Sequence, residues 1–216
     1  MWDVRQGAAL VLFLHSCFAV VLERDRRDDR KLWSGVACSL DGSKIVAVVG
    51  GYNGAGGYIY MSSDAGLTWH AGNSEVHSWR AVASSADGSK LVAVEDSSLE
   101  RKGGFVHTST DSGVTWNVRQ NAGCRNWNSV ASSTDGNNLV AVVGGYVGES
   151  GNIYTSSDAG ETWSARMTDA VHSWRDVSSS DDGMNMHTCV DMNLFIAQRN
   201  RQLCVHCVLV ASMNSM

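Results

Sequence analysis

Proline is missing from this sequence of 216 residues, although average usage of about 5% would place roughly eleven in a chain of this length. Turns must therefore be made by Gly, Asp, Asn and Ser, and glycine alone accounts for 22 residues. Charged residues are also scarce at 18%, with a net charge of -5, which excludes the basic surface typical of nucleic-acid-binding proteins. The hydrophobic content of 44% excludes a wholly disordered chain.

Long hydrophobic stretches are missing as well. The apolar run 8–22 is shorter than the roughly 20 residues that a membrane-spanning helix needs, so no stable membrane span is predicted. Arg5 precedes the run, and the small Cys17 and Ala19 lie near its end, which is the pattern of a secretory signal peptide. The segment 1–22 therefore predicts a secreted or extracytoplasmic protein, with a buried strand as the alternative. The mixed charges that follow predict a solvated linker at 23–32, with an anion-binding patch as the alternative.

An internal repeat is the strongest pattern in the sequence. The motif S-x-D-x-G-x-T-W occurs three times, and its aspartates are spaced by 47 residues in both intervals. A second motif, W-x-x-V followed by Asp-Gly, occurs four times in phase with the first. Its tryptophans are Trp33, Trp79, Trp127 and Trp174. Such a period indicates a chain built from copies of one supersecondary unit.

Each repeat unit predicts four short strands separated by turn residues. In the second unit we expect them at 79–84, 90–94, 105–109 and from 115 onward. Four antiparallel strands every 47 residues are the signature of a β-propeller blade. The sequence therefore predicts an all-β propeller at 33–183, with blades at about 33–78, 79–126 and 127–173 and a partial fourth blade from 174.

Closure of this ring is open at the level of the sequence, because known propellers have about four to eight blades. The N-terminal segment, the tail 184–216 or a second chain are the three candidates for completing it, and unpaired strand edges would favour self-association. The tail lacks the turn residues of the repeats. Its single pair of cysteines in C-x-x-C spacing, Cys204 and Cys207, is a weak zinc signal. Apolar strand residues, or a truncated gene product without independent activity, are the other interpretations.

The three S-x-D-x-G-x-T-W turns resemble the Asp-box, also called the bacterial neuraminidase repeat. Combined with the motif W-x-x-V-A-S-S-x-D-G, they look most like the photosystem II assembly-factor-like propellers of the sialidase superfamily. The resemblance covers residues 33–183 and implies a propeller fold. It implies no single activity, because Asp-box propellers include hydrolases, receptors and assembly factors. It also adds an organelle lumen, such as that of the thylakoid, as an alternative compartment.

A structural role is predicted for the repeated aspartates. Glycine permits the backbone conformation of a tight turn, the carboxylate accepts amide hydrogen bonds, and tryptophan buries a large apolar area. A catalytic residue is expected once rather than in every unit, and the resemblance places the Asp-box far from an active centre. We therefore assign no catalytic residue. The predicted structural residues are Ser62, Asp64, Gly66, Thr68, Trp69, Ser109, Asp111, Gly113, Thr115, Trp116, Ser156, Asp158, Gly160, Thr162 and Trp163.

A binding site is expected on the opposite face, where the loops between second and third strands meet the connections between blades. This face carries His77, Arg80, Arg125, His172 and Arg175, and its arginines suit an anionic partner. In the alternative interpretation each arginine stacks on a tryptophan or pairs with a nearby carboxylate. Polar loop positions explain the two histidines more simply than metal binding, so no metal or cofactor is predicted.

The favoured function is a non-catalytic module that binds or assembles a protein or glycan partner. The alternative is a sialidase-like glycoside hydrolase. The absence of proline removes the Arg-Ile-Pro motif of sialidases, and spacing singles out no pair of carboxylates for hydrolysis. The candidates for such a pair, once the repeated aspartates are set aside, are Glu75, Glu95, Asp96, Glu100, Glu149, Glu161, Asp169 and Asp176.

Overall fold

The computed structural model describes residues 31–51, 56–95, 103–144, 150–166, 168, 172–190 and 207–210. These residues form fifteen β-strands and a 3₁₀ helix at Gln120–Ala122. No helix in the described part of the chain is long and apolar enough to cross a membrane. The apolar segment 1–22 and the linker up to residue 30 lie outside the described residues, and so do the predictions made for them.

Four antiparallel sheets follow one another along the chain. The first contains β1 (Trp33–Cys38), β2 (Ile45–Val49), β3 (Ile59–Ser62) and β4 (His70–Ala71). The second contains β5 (Trp79–Ser84), β6 (Leu91–Glu95), β7 (Val106–Ser109) and β8 (Asn117–Arg119). The third contains β9 (Trp127–Ser132), β10 (Leu139–Gly144), β11 (Ser150–Ser156) and β12 (Ser164–Arg166). The fourth contains β13 (Trp174–Ser179), β14 (Met186–Val190) and β15 (Cys207–Val210).

Within each sheet every strand pairs with the next strand along the chain, so each sheet is a simple up-and-down meander. The first strands of successive sheets, β1, β5, β9 and β13, contact one another. Sheets that repeat side by side around their first strands form the blades of a β-propeller. The predicted fold is confirmed: three blades have four strands, and the described residues give the fourth blade three.

The start of one strand differs from the sequence-based expectation. The last strand of blade two begins at Asn117 rather than at Thr115, because the Thr115 side chain and backbone N–H are engaged in the preceding turn. The tail 184–216, one of the three candidates for completing the ring, supplies β14 and β15 to the fourth blade.

The core lies along the second strands and between adjacent blades. β2 and β10 are buried along their whole length, and β6 is buried except at its last residue. Trp79, Trp127 and Trp174, the first residues of their strands, are each only 1% exposed. Each of these indoles reaches back to the previous blade, where its N–H donates to a glycine carbonyl at 2.9 to 3.0 Å. The tryptophans of the second motif therefore join one blade to the next.

The turns formed by S-x-D-x-G-x-T-W share one hydrogen-bond pattern. The Asp64 carboxylate accepts bonds from Ser62 Oγ at 2.7 Å, the Thr68 N–H at 2.8 Å and Thr68 Oγ1 at 2.5 Å. Ser62 Oγ in turn accepts a bond from the Gly66 N–H at 2.8 Å. The hydrogen bonds from Thr68 and Ser62 hold the pKa of Asp64 at about 2. The carboxylates of Asp111 and Asp158 accept the equivalent bonds in their own turns.

Two consecutive residues in each of these turns have left-handed backbone conformations. In the first turn they are Ala65 (φ 56°) and Gly66 (φ 84°), and the Leu67 N–H closes the turn on the Asp64 carbonyl at 3.2 Å. Left-handed φ at both central positions defines a type I′ turn, which usually takes Asn, Asp or Gly first. The hydrogen bonds of the serine and aspartate side chains therefore hold an alanine where isolated sequence preferences disfavour it.

Candidate functional site

The propeller has two faces of different composition. The turn face carries the Asp-Gly turns and the S-x-D-x-G-x-T-W turns. The loop face carries the ends of β2, β6 and β10 together with the connections that enter β5, β9 and β13. All five predicted binding residues lie at or beside the loop-face ends of β5, β9 and β13.

The structure divides the three predicted arginines between two repeat positions. Arg80 and Arg175 each follow the blade tryptophan and fall at a β-bulge, where the register of the first strand shifts. Arg125 instead lies two residues before its tryptophan, in the connection between blades. It stacks on a tyrosine rather than a tryptophan, with its guanidinium carbon 4.6 Å from the centroid of the Tyr154 ring.

One basic or imidazole residue occupies the Arg125 position in every blade. The four residues are Lys31, His77, Arg125 and His172, each two positions before its tryptophan. Lys31 lies 5.4 Å from the centroid of the Tyr60 ring. His77 and His172 each make an edge-on contact with their tryptophan at 5.2 Å between ring centroids. The loop face therefore carries, once in each blade, a basic or imidazole side chain that contacts an aromatic ring.

Blade two departs from the repeat at two positions, which lie on the adjacent strands β6 and β7. The residue paired with the blade tryptophan is Val49 in blade one and Val143 in blade three, but Glu95 in blade two. The third strand carries Tyr60 in blade one and Tyr154 in blade three. Blade two has His107 at that position.

These two departures meet in space beside His77. Glu95 Oε1 accepts a hydrogen bond from His107 Nε2 and lies 3.4 Å from His77 Nδ1. The backbone N–H of Phe105 donates to the other oxygen, Oε2, at 3.1 Å. His77 Nε2, on the far side of its ring, lies 3.5 Å from a carboxylate oxygen of Glu75. We call His77, Glu95 and His107 the blade-two cluster.

Two side chains of the blade-two cluster are nearly buried, and the third is partly exposed to solvent. The side chains of His107 and Glu95 are 5% and 12% exposed, whereas that of His77 is 28% exposed. Burial raises the pKa of Glu95, but the hydrogen bonds from His107 and Phe105 and the nearby imidazoles outweigh it and hold the pKa below its ordinary value. Glu95 is therefore an ionised carboxylate at neutral pH, with two imidazoles against it.

The same three side chains are mutually close enough to act on one ligand. One atom of each, a ring nitrogen or a carboxylate oxygen, lies within 4.8 Å of the others. Among the described residues this is the one group of three or more His, Cys, Asp or Glu side chains with such spacing. Two imidazoles and a carboxylate form a donor set that can bind a cation or accept protons.

The sequence reasoning named His77, included Glu95 only among the unpaired carboxylates, and missed His107. A signal was available: both Glu95 and His107 replace residue types shared by blades one and three. Aligning the blades on their tryptophans exposes both replacements. Their contact with each other and with His77 follows from the pairing of β5, β6 and β7.

The other candidate carboxylates lie apart from this cluster. Glu161 accepts two hydrogen bonds from the Arg119 guanidinium, at 2.7 and 2.8 Å, which join blades two and three. Asp176 accepts from Ser129 Oγ at 2.7 Å, which joins blades three and four. The remaining candidates, Asp96, Glu100, Glu149 and Asp169, lie outside the described residues.

Comparison with known proteins supports the fold. No model of a known protein family matches the sequence, and no curated protein sequence matches it either. The chain is similar to a GH74 enzyme of Niastella koreensis, with 16% identity and a TM-score of 0.58, over 73% of this chain and 28% of that one. It is similar to the hydrazine synthase of Kuenenia stuttgartiensis, with 18% identity and a TM-score of 0.56, over 73% and 49% of the two chains. It is also similar to the β-propeller domain of Cps50 (Swd1) from Myceliophteria thermophila, with 10% identity and a TM-score of 0.52, over 77% and 53%.

These likenesses agree with the topology and define the class: the chain is a β-propeller protein. It spans only 28% to 53% of the length of the three solved chains. At such identities the likeness shows the fold alone, so the chemistry of the site has to be argued from the residues of this chain.

Proposed function

We propose that this protein is a non-catalytic propeller that binds an anionic protein or glycan partner on its loop face. The observation that carries the proposal is the basic or imidazole residue at one repeat position of all four blades. These residues are Lys31, His77, Arg125 and His172. Arg80 and Arg175 add guanidinium groups beside it. Because the whole chain has a net charge of -5, the repeated basic side chains at this end of the blades favour an anionic partner there.

The carboxylates near these residues support binding rather than hydrolysis. A glycoside hydrolase places two carboxyl groups on either side of the bond that it cleaves. Glu75 and Glu95 approach opposite nitrogens of the His77 ring, at 3.5 and 3.4 Å. The imidazole therefore lies between the two carboxylates, where the substrate of a hydrolase would have to lie.

The sequence motifs also bear on the family to which the protein is related and on its cellular location. The three S-x-D-x-G-x-T-W turns favour descent from the Asp-box propellers of the sialidase superfamily, with an assembly-factor-like role. The apolar segment 1–22 favours secretion, and removal of the chain up to Ala19 in a secreted product would support it. N-terminal sequencing of the mature protein tests this point.

Binding is tested with immobilised sulfated glycans, sialylated glycans and an acidic peptide. We expect at least one probe to bind, with an affinity that falls as the salt concentration rises. Replacing both Arg80 and Arg175 by Ala should weaken that binding about tenfold or more without changing the melting temperature. Arg166→Ala, on the exposed strand β12, is the matched control and should bind like the wild type. Unchanged binding by the double variant would refute the proposed surface.

The alternative, a glycoside hydrolase, is tested on fluorogenic sialosides and β-glucans. We expect no turnover above background. Hydrolysis that disappears in the Glu95→Gln variant would overturn the non-catalytic proposal, because that substitution keeps the shape of the side chain and removes only its charge.

A further inference from the structure

We propose that the blade-two cluster is a binding site for a divalent transition metal, with zinc as the best-suited ion, held by His77, Glu95 and His107. Imidazole nitrogens favour zinc and its neighbours in the first transition row, whereas calcium and magnesium prefer oxygen ligands alone. Three protein ligands leave a fourth tetrahedral position for water or for a partner group.

One pair of ligand atoms in the cluster already has the separation that a zinc site needs. Zinc bonds of about 2.0 to 2.1 Å place neighbouring tetrahedral ligand atoms about 3.3 Å apart. His77 Nδ1 and Glu95 Oε1 are already 3.4 Å apart, and all three ligand atoms lie within 4.8 Å of one another. His107 Nε2 is hydrogen-bonded to the same carboxylate oxygen, so these two atoms have to move apart to admit a cation. A cation between the three would replace the proton shared by His107 and Glu95.

The surroundings of the ligands match what a metal site needs. A metal-binding histidine usually directs its second nitrogen to a carboxylate, which fixes the ring. His77 directs Nε2 to Glu75 at 3.5 Å, while Nδ1 faces the cluster. The second oxygen of Glu95 is held by the Phe105 N–H. His107 packs edge-on against the buried Trp79 ring at 4.9 Å between centroids, which limits its rotation.

Comparison of the blades indicates that the fold does not need this polar cluster. Blades one and three place valine and tyrosine at the same two positions and form the same four-stranded sheet. Burying a carboxylate and an imidazole in place of an apolar pair carries a desolvation cost. A bound cation would offset that cost at the one blade where both replacements occur together.

The test measures zinc uptake by the full chain under reducing conditions, with a coloured chelator as competitor. We expect the wild type to bind one more equivalent than a double variant with Glu95→Val and His107→Tyr, which restores the residue types of blade one. His172→Ala is the matched control, because His172 has the same contact with its tryptophan but belongs to a different blade. It should keep the extra equivalent, whereas His77→Ala should lose it. Equal uptake by the wild type and the folded double variant would overturn the proposal.

Zinc affinities of two conservative variants and X-ray absorption keep the test decisive if the double variant folds poorly. Glu95→Gln preserves the size of the side chain and should lower the zinc affinity by more than about 100-fold, beyond the usual effect of losing a supporting residue. Glu75→Gln should lower it by about tenfold. X-ray absorption of the zinc-loaded wild type should show nitrogen or oxygen ligands at about 2.0 Å. A shell of sulfur alone, at about 2.3 Å, would assign the metal to cysteines and refute the site.

Discussion

Replacing the Glu95–His107 pair by the Val–Tyr pair of blade one should leave the stability of the protein nearly unchanged, although each single replacement is costly. The ring positions make the exchange feasible. Tyr60 meets Trp33 edge-on at 5.3 Å and 74°, and His107 meets Trp79 edge-on at 4.9 Å and 76°. A tyrosine at position 107 can therefore adopt a contact that blade one already contains.

The expected magnitudes follow from burial. His107→Tyr alone leaves the Glu95 carboxylate, only 12% exposed, without its main donor, and losing one partner of a buried charged pair costs about 3–5 kcal/mol. Glu95→Val alone leaves the His107 ring, 5% exposed, without an acceptor, which costs about 1–3 kcal/mol. The double variant leaves neither group unsatisfied. Its free energy of unfolding should lie within about 1 kcal/mol of the wild type, so the coupling energy should be about 3 kcal/mol or more.

Urea titrations of the four proteins, followed by far-UV circular dichroism, measure this cycle. A chelator must be present throughout, so that bound metal does not contribute to the stability of the wild type. For a chain of this length each 1 kcal/mol corresponds to roughly 2–4 °C in melting temperature, so thermal scans provide a second readout. A double variant destabilised by the sum of the two single losses would refute the reasoning, because it would show that the two sites act independently.

Three further changes test the repeated turns. Lowering the pH from about 6 to 2 should destabilise the protein, because the threonine and serine of its own turn hold the pKa of Asp64 at about 2, below the ordinary 3.8. A carboxylate whose pKa is lowered by folding contributes its full stabilisation above its unfolded pKa, and this contribution is lost as the pH falls through the folded pKa. Asp64→Asn should therefore weaken the pH dependence of the urea midpoint between about pH 4 and 2. An unchanged pH dependence would contradict this. Trp163→Phe should cost about 1 kcal/mol more than Trp116→Phe in urea titrations, because the Trp163 indole donates a hydrogen bond at 3.0 Å whereas that of Trp116 is buried without a partner among the described residues; equal costs would show that this bond contributes nothing. Gly113→Ala should lower the free energy of unfolding by about 1–2 kcal/mol, because φ is +83° and the new Cβ would also displace the Met61 side chain; an unshifted urea midpoint would mean that the turn can relax.

Much of the fold could be predicted because it depends on local signals that recur. The Asp-Gly turns and the type I′ turns fix where the strands end on the turn face, and the continuous apolar runs of β2, β6 and β10 mark the second strand of each complete blade. Where those signals stop, the sequence left several alternatives open. The tail 184–216 was one of three candidates for completing the ring, and β15 lies in a part of it that carries no repeat motif.

The candidate site was only partly accessible to sequence reasoning. Arg80 and Arg125 were grouped because both lie near a tryptophan, but one follows it at a bulge and the other precedes it in a connection. The contact between Glu95 and His107 joins residues of two strands, and it depends on their register within the sheet. A motif read along the chain contains no information about such lateral contacts, whereas a comparison between the blades does.

The repeat serves as an internal reference for judging which polar residues are structural. Asp64 and its counterparts recur with the same partners in every complete blade, so the fold explains them without any ligand. Glu95 and His107 occur together in one blade only, and each would be an unfavourable replacement without the other. Because blades one and three form the same sheet with valine and tyrosine at these positions, the fold does not require the polar pair. A buried carboxylate and imidazole beside the partly exposed His77 are therefore better explained by a ligand that contacts all three side chains than by the folding of the blade.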